Sequence, residues 1–240
     1  MYFRLLGLLE LLGLLSLFGL AIASPVTRAT KANYPETQTS KGFKLVVNVT
    51  DPSRDFKPSI QNNFVTSIHL GPGLALVGVL EDRGRIFYQN GTEDEHRDNR
   101  ATIITDGGTP LIPSGLQLKP DADSKTLSTA RLDFNYGTRG VQLSCDEDYS
   151  FVLPETFIAC NESLLYYPGQ YYVTIKHASS TRNKDGTTNH NIPKHCAPVR
   201  LIPECTELNE TPVGSFANHE YALDSRCYKD VSEIEWSRFS

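Results

Sequence analysis

The chain reads as an all-β protein, an antiparallel β-sandwich or barrel-like domain with little helix outside an N-terminal signal peptide. Three observations predict this class. Short β-branched and aromatic runs recur from Gly42 to Ile202, several with period-2 alternation. Fourteen prolines and seventeen glycines punctuate the chain between those runs. A helical apolar pattern is entertained only around Ser215–Trp236.

Taken in order, the first element is a leader. Arg4 supplies a short positive region, Leu5–Leu20 is almost wholly leucine, glycine and phenylalanine, and Ala21-Ile22-Ala23 offers the small residues of a signal-peptidase site. Cleavage is expected after Ala23, giving a signal peptide over 1–23. A retained membrane anchor is disfavoured, because Glu10 interrupts a run barely reaching the roughly 20 residues a bilayer needs. Residues 24–41 are polar and threonine-rich, and read as a disordered tail. The β-rich, disulfide-bonded domain then spans 42–240, with room for two β units meeting near 111–130. The C-terminus carries charge where a GPI signal would carry a hydrophobic tail.

Phe43, Leu45, Val47 and Val49 share one strand face, which places Asn48 on the other. Asn63–Leu70 and Leu74–Leu80 flank the turn Gly71-Pro72-Gly73, and the second is apolar on both parities, as in a strand covered on both sides. Arg85–Gln89 ends at Asn90-Gly91, and Ala101–Thr105 stops at Asp106-Gly107-Gly108. Arg131–Tyr136 alternates strictly, with Leu132, Phe134 and Tyr136 on one face and Arg131, Asp133 and Asn135 on the other. Gln170–His177 and Val199–Ile202 complete the strands, separated by the polar loop Ser179–His195.

Five cysteines remain after the leader: Cys145, Cys160, Cys196, Cys205 and Cys227. In an exported chain they read as disulfide partners with one left over, and the sequence does not choose the pairing. A local Cys145–Cys160 bridge would contribute roughly 3 kcal/mol through loop closure. Sequons stand at Asn48, Asn90, Asn161 and Asn209.

Several activities can be discounted. A net charge of −5 without a Lys/Arg cluster disfavours nucleic acid and anionic membrane as partners. No phosphate loop or nucleophile elbow occurs. His219-Glu220 opens like a zinc-protease helix, but Leu223 occupies the second histidine's position. Residues 181–186 imitate a calcium loop without its first aspartate. His190, His195 and Cys196 lie close in sequence but offer too few ligands for a metal reading to be preferred. No cofactor is expected. The acidic runs Glu93-Asp94-Glu95 and Asp146-Glu147-Asp148 read as hydrated turns. Tyr166, Tyr167, Tyr171 and Tyr172 around Pro168-Gly169 form the best candidate binding surface, because exposed rings stack sugars or engage partners.

The stretches Gly84–Thr92 (GRIFYQNGT), Thr105–Pro110 (TDGGTP) and Cys227–Val231 (CYKDV), with Trp236-Ser237, resemble a family of secreted hypothetical proteins of filamentous ascomycete fungi, a domain of unknown function. The resemblance runs from about Gly42 to Ser240. It implies export from a fungus and carries no known active site. The expectation is a secreted, extracellular or cell-wall-associated fungal glycoprotein that binds cell-wall polysaccharide or an extracellular protein without catalysis. The alternative is a secreted polysaccharide hydrolase using two carboxylates from separate strands.

Overall fold

The structure is a computed structural model that describes residues 34–146 and 149–238. The expected signal peptide and residues 24–33 of the expected tail lie outside the described residues. Eleven strands form one antiparallel sheet. They are β1 (Gly42–Val49), β2 (Phe64–Gly71), β3 (Leu74–Leu80), β4 (Ile86–Asn90), β5 (Thr102–Gly107) and β6 (Ile112–Gly115). After these come β7 (Gln117–Pro120), β8 (Leu127–Arg131), β9 (Phe157–Leu164), β10 (Tyr167–Ala178) and β11 (Cys196–Thr206). The pairings β1–β2, β2–β3, β3–β10, β10–β9, β9–β11 and β11–β1 close a ring, so the all-β expectation resolves as barrel-like. The strands on either side of 111–130 share this one sheet.

Alternation fills the ring. Leu45 and Val47 of β1 meet Val65, Val77, Ile175 and Leu201 in the main core, all fully buried. Gly78 stands where β3 pairs with both Thr66 of β2 and Thr174 of β10. A Cβ there would come within 2.5 Å of the Ile68 side chain, which would have to move to admit one. Val46 and Ile202 face outward, beneath a second apolar layer that includes Tyr149, Tyr228 and Val231.

Several expectations are corrected. The final residues of the expected tail form a strand, Gln38–Ser40, paired with Ser225–Cys227. That second strand and a 3-10 turn at Trp236–Arg238 occupy the segment where a helix was entertained. The acidic run Glu93-Asp94-Glu95 opens a five-residue helix, Glu93–Arg97, through a capping box of Thr92 with Glu95. β11 extends beyond the expected Val199–Ile202 at both ends and runs through Pro198 and Pro203. Pro198 turns its backbone toward Thr50, beyond the end of β1, and the Pro203 carbonyl accepts from Tyr228, so neither missing N–H interrupts the β1 ladder.

The Arg131–Tyr136 alternation fails for an electrostatic reason. The strand ends at Arg131, Asp133 is 5% exposed, and Phe134 and Tyr136 are 40% and 62% exposed. Asp133 accepts from Arg131 at 2.8 and 2.9 Å, from Lys119 at 2.7 Å and from the Ala75 amide at 3.2 Å. Burial alone would raise this carboxyl, but the bonds from Arg131 and Lys119 outweigh it and hold it below the ordinary aspartate range. A carboxylate so held stabilises the fold fully above the unfolded value, near about pH 4, and loses that effect as pH falls through its folded value. The Asp133→Asn variant should therefore lose about 2 kcal/mol at neutral pH, less than for a fully buried pair because Lys119 stays hydrated. Urea unfolding should show the gap to wild type narrowing in acid; an unchanged gap would refute the assignment.

Candidate functional site

The tyrosine-rich segment becomes the tip of the β9–β10 hairpin. Leu164 pairs with Tyr167 across a turn made by Leu165 and Tyr166, whereas Ser163 pairs with Tyr171, so Pro168-Gly169-Gln170 loop out of the ladder. Gly169 sits at φ +78°, in the left-handed region that this excursion demands. None of the four tyrosines enters the core. Tyr166 and Tyr171 are 53% and 69% exposed, and Leu165 is fully exposed. Tyr167 anchors the group by donating to the His69 carbonyl at 2.8 Å, with its ring 5.0 Å from Tyr166 and 5.1 Å from Tyr172. Tyr172 donates to Gln170 Oε1 at 2.6 Å. Tyr166, Tyr167 and Tyr172 thus form one run of touching rings, and Tyr171 stands exposed at the next strand position.

A second feature was not legible in the sequence. Asn48 of β1 and Arg200 of β11 are partners in the ladder that closes the ring. Beside them the outer aromatic layer leaves a cavity of about 800 Å³. The Arg200 guanidinium lies 5.4 Å over the rings of Tyr149 and of Phe151, and its Nε donates to Glu155 Oε1 at 2.5 Å. Trp236 meets the Tyr149 ring edge-on at 5.4 Å. Behind it Tyr228 is buried, which pushes its hydroxyl up to about 12, and that oxygen accepts from the Ser150 amide at 3.1 Å. Two carboxylates reach the cavity wall and both are tied into the fold. Glu155 is engaged by Arg200, and Asp55 accepts from the Phe56 and Ile60 amides and the Ser59 hydroxyl.

A third cluster joins two of the stretches quoted for the family resemblance. Arg85 and Tyr88 come from one, Asp106 from the other, and His219 from the C-terminal segment. His219 Nε2 lies 2.7 Å from Asp106 Oδ2, and the Tyr88 hydroxyl donates to Asp106 Oδ1 at 3.4 Å. Arg85 donates to Ser67 and Thr105 at 3.1 Å each and to the Asp106 carbonyl. Burial, reinforced by Asp106, pushes the Tyr88 phenol far above its ordinary value. The histidine that begins the zinc-protease-like run is thus a strap, fastening the C-terminal segment to β5. Arg85 also lines a smaller cavity of about 380 Å³ with Phe134 and Ser114.

The cysteines resolve into Cys160–Cys196, directly opposite each other on β9 and β11, and Cys205–Cys227, joining β11 to the C-terminal strand. Cys145 is an exposed thiol, so the local Cys145–Cys160 bridge does not form. His195 approaches Cys160 and Cys196, but their sulfurs are bonded to each other and offer no thiolate to a metal. His190 shares a hydrogen bond with Thr156 at 3.3 Å. Of the acidic run at 146–148, only Asp146 is among the described residues. Asn161 and Asn209 are exposed, Asn90 is half-buried, and Asn48 is only 6% exposed. The outward direction expected for Asn48 is correct, but the aromatic layer covers it.

A family model described as a domain of unknown function, DUF7907, matches residues 40–205. A relative named Antigenic protein SchS34, from Stachybotrys chartarum, is 55% identical over 219 residues, covering 90% of this chain and 99% of its own length. No solved structure matches the chain.

Native protein should take up maleimide at Cys145 alone, and peptide mapping without reductant should recover the 160–196 and 205–227 linkages. A linked peptide containing Cys145 would contradict the pairing. Replacing Cys160 and Cys196 together by alanine should cost about 4 kcal/mol in a denaturant titration, and replacing Cys205 and Cys227 about 3 kcal/mol, following the lengths of the loops they close.

Proposed function

The chain belongs to the DUF7907 family, and from that premise we propose that it works outside the fungal cell as an N-glycosylated protein that binds cell-wall polysaccharide without cleaving it. The observation that carries the reading is the β9–β10 tip, where Tyr166 and Tyr171 stand exposed on a scaffold fixed by Tyr167 and Tyr172. Rings held this way present flat apolar faces to the C–H faces of sugars at little entropic cost, and extended polymers need no enclosing pocket.

Export is supported by the leader pattern, by the two disulfides and by a relative named as an antigen. The hydrolase alternative draws no support from the acids of the larger cavity, since Asp55 and Glu155 are already engaged. Exposure favours Asn161 and Asn209 as glycan carriers, whereas a glycan on Asn48 would have to displace the aromatic layer.

Protein from a eukaryotic secretory host should co-sediment with at least one insoluble fungal wall polymer, such as chitin or β-glucan. The Tyr166→Ala/Tyr171→Ala double variant should bind about tenfold more weakly, the loss of two stacking contacts of about 0.5–1.5 kcal/mol each. Retained affinity in that variant, or release of reducing sugar by the wild type, would defeat the reading. Enzymatic deglycosylation in heavy-oxygen water should label Asn161 and Asn209 and leave Asn48 unlabelled.

A further inference from the structure

We infer that the cavity between the β1–β11 ladder and the outer aromatic layer is a second, independent binding site, and that its ligand is a short neutral saccharide or the free end of one. The volume, about 800 Å³, lies within the roughly 300–1,000 Å³ of sites that enclose small ligands. It is also wall-bound on several sides by elements distant in sequence: β1, β11, the loop bearing His190 and Ile192, and the C-terminal turn with Trp236.

The chemistry of the walls selects the ligand class. The lining carries one arginine and two carboxylates, and the fold has already matched them: Arg200 holds Glu155, and Asp55 is consumed by its own loop. A charged ligand would therefore have to break an existing bond of Arg200, Glu155 or Asp55 to pair with it, which offsets what the new pairing contributes. What the walls do offer is directional hydrogen bonding. The Asn48 amide and the linked Thr156 and His190 side chains supply hydrogen-bonding groups. Ile192 and Ile234, with the rings of Tyr149 and Trp236, supply apolar faces. Apolar faces interleaved with hydroxyl-matching amides are what a pyranose ring requires, since it is apolar above and below and hydroxylated around its rim. Stacking against Tyr149 and Phe151 pre-orients the Arg200 guanidinium, so ordering it costs little on binding.

The site differs from the hairpin tip in kind as well as place. An open aromatic surface takes a polymer side-on, whereas a half-open cavity walled on several sides takes a terminus or a small sugar. The two are therefore separable by experiment. Trp236 is the chain's single tryptophan, and it stands in the cavity wall, so its emission reports occupancy directly.

Titration of the whole secreted protein with N-acetylchitotriose, laminaritriose, cellotriose and mannotriose should give a saturable change in Trp236 emission with at least one of them. The Tyr166→Ala/Tyr171→Ala variant should give the same curve. Ile192→Phe, which adds bulk at a half-buried wall position packed against the Ile158–Ala178 cluster, should weaken binding at least tenfold. Trp236→Phe, followed by calorimetry, should weaken it severalfold and guards against misfolding of the first variant. No response to any of the four sugars would overturn the inference. So would undiminished binding in both cavity variants, or loss of the signal on mutating the tip.

Discussion

Pairing between β1 and β11 is the constraint on which the rest of this structure depends. Gly42–Val49 and Cys196–Thr206 lie side by side over eight registered pairs, from Val49 opposite Val199 to Gly42 opposite Thr206. Their inward residues, Leu45, Val47 and Leu201, build the main core, while Val46 and Ile202 support the outer aromatic layer. Burial on both faces fixes the register strongly, because a slip of one residue would exchange the two cores. The same ladder sets Asn48 beside Arg200, and β11 carries Cys196 and Cys205, through which both disulfides act.

Much of the fold was legible because it is locally encoded. Leu74–Leu80, apolar on both parities, is indeed a strand of the closed ring, and Gln170–His177 lies within β10. Reading failed where distant charges or partners reverse a local rule. Asp133 sits on the polar side of an alternating run yet is buried, because Lys119, fourteen residues earlier, and the Ala75 amide complete its shell. Val199–Ile202 proved only the middle of β11, because Pro198 faces Thr50 beyond the end of β1 and Pro203 faces Tyr228 on the other edge, so neither costs the β1 ladder a bond. Gln38–Ser40 is polar and unremarkable on its own; it becomes a strand only because Ser225–Cys227 returns beside it.

The two surfaces divide along the same line. The tyrosines of the hairpin tip are neighbours in sequence, and a turn dipeptide among them announces exposure. The cavity draws Asn48, Tyr149, Glu155, Arg200 and Trp236 from four regions, so no window of sequence contains it. Cysteine pairing shares that character. Cys160 and Cys196 face each other across a ladder whose existence no spacing rule could reveal.

Ring closure between a strand near the start of the domain and one near its end also bears on how the molecule is made. During synthesis β1 emerges first and has no lasting neighbour on one edge until some 150 residues later β11 arrives, as the register Val47 opposite Leu201 implies. Long-range pairing of this kind is slow, and the waiting edge is open to non-native partners. The strap of His219 to Asp106 and the strand at Ser225–Cys227 come later still. Assembly is therefore completed only once the segment from His219 to Cys227 has been made, which places a premium on chaperone protection of the nascent chain.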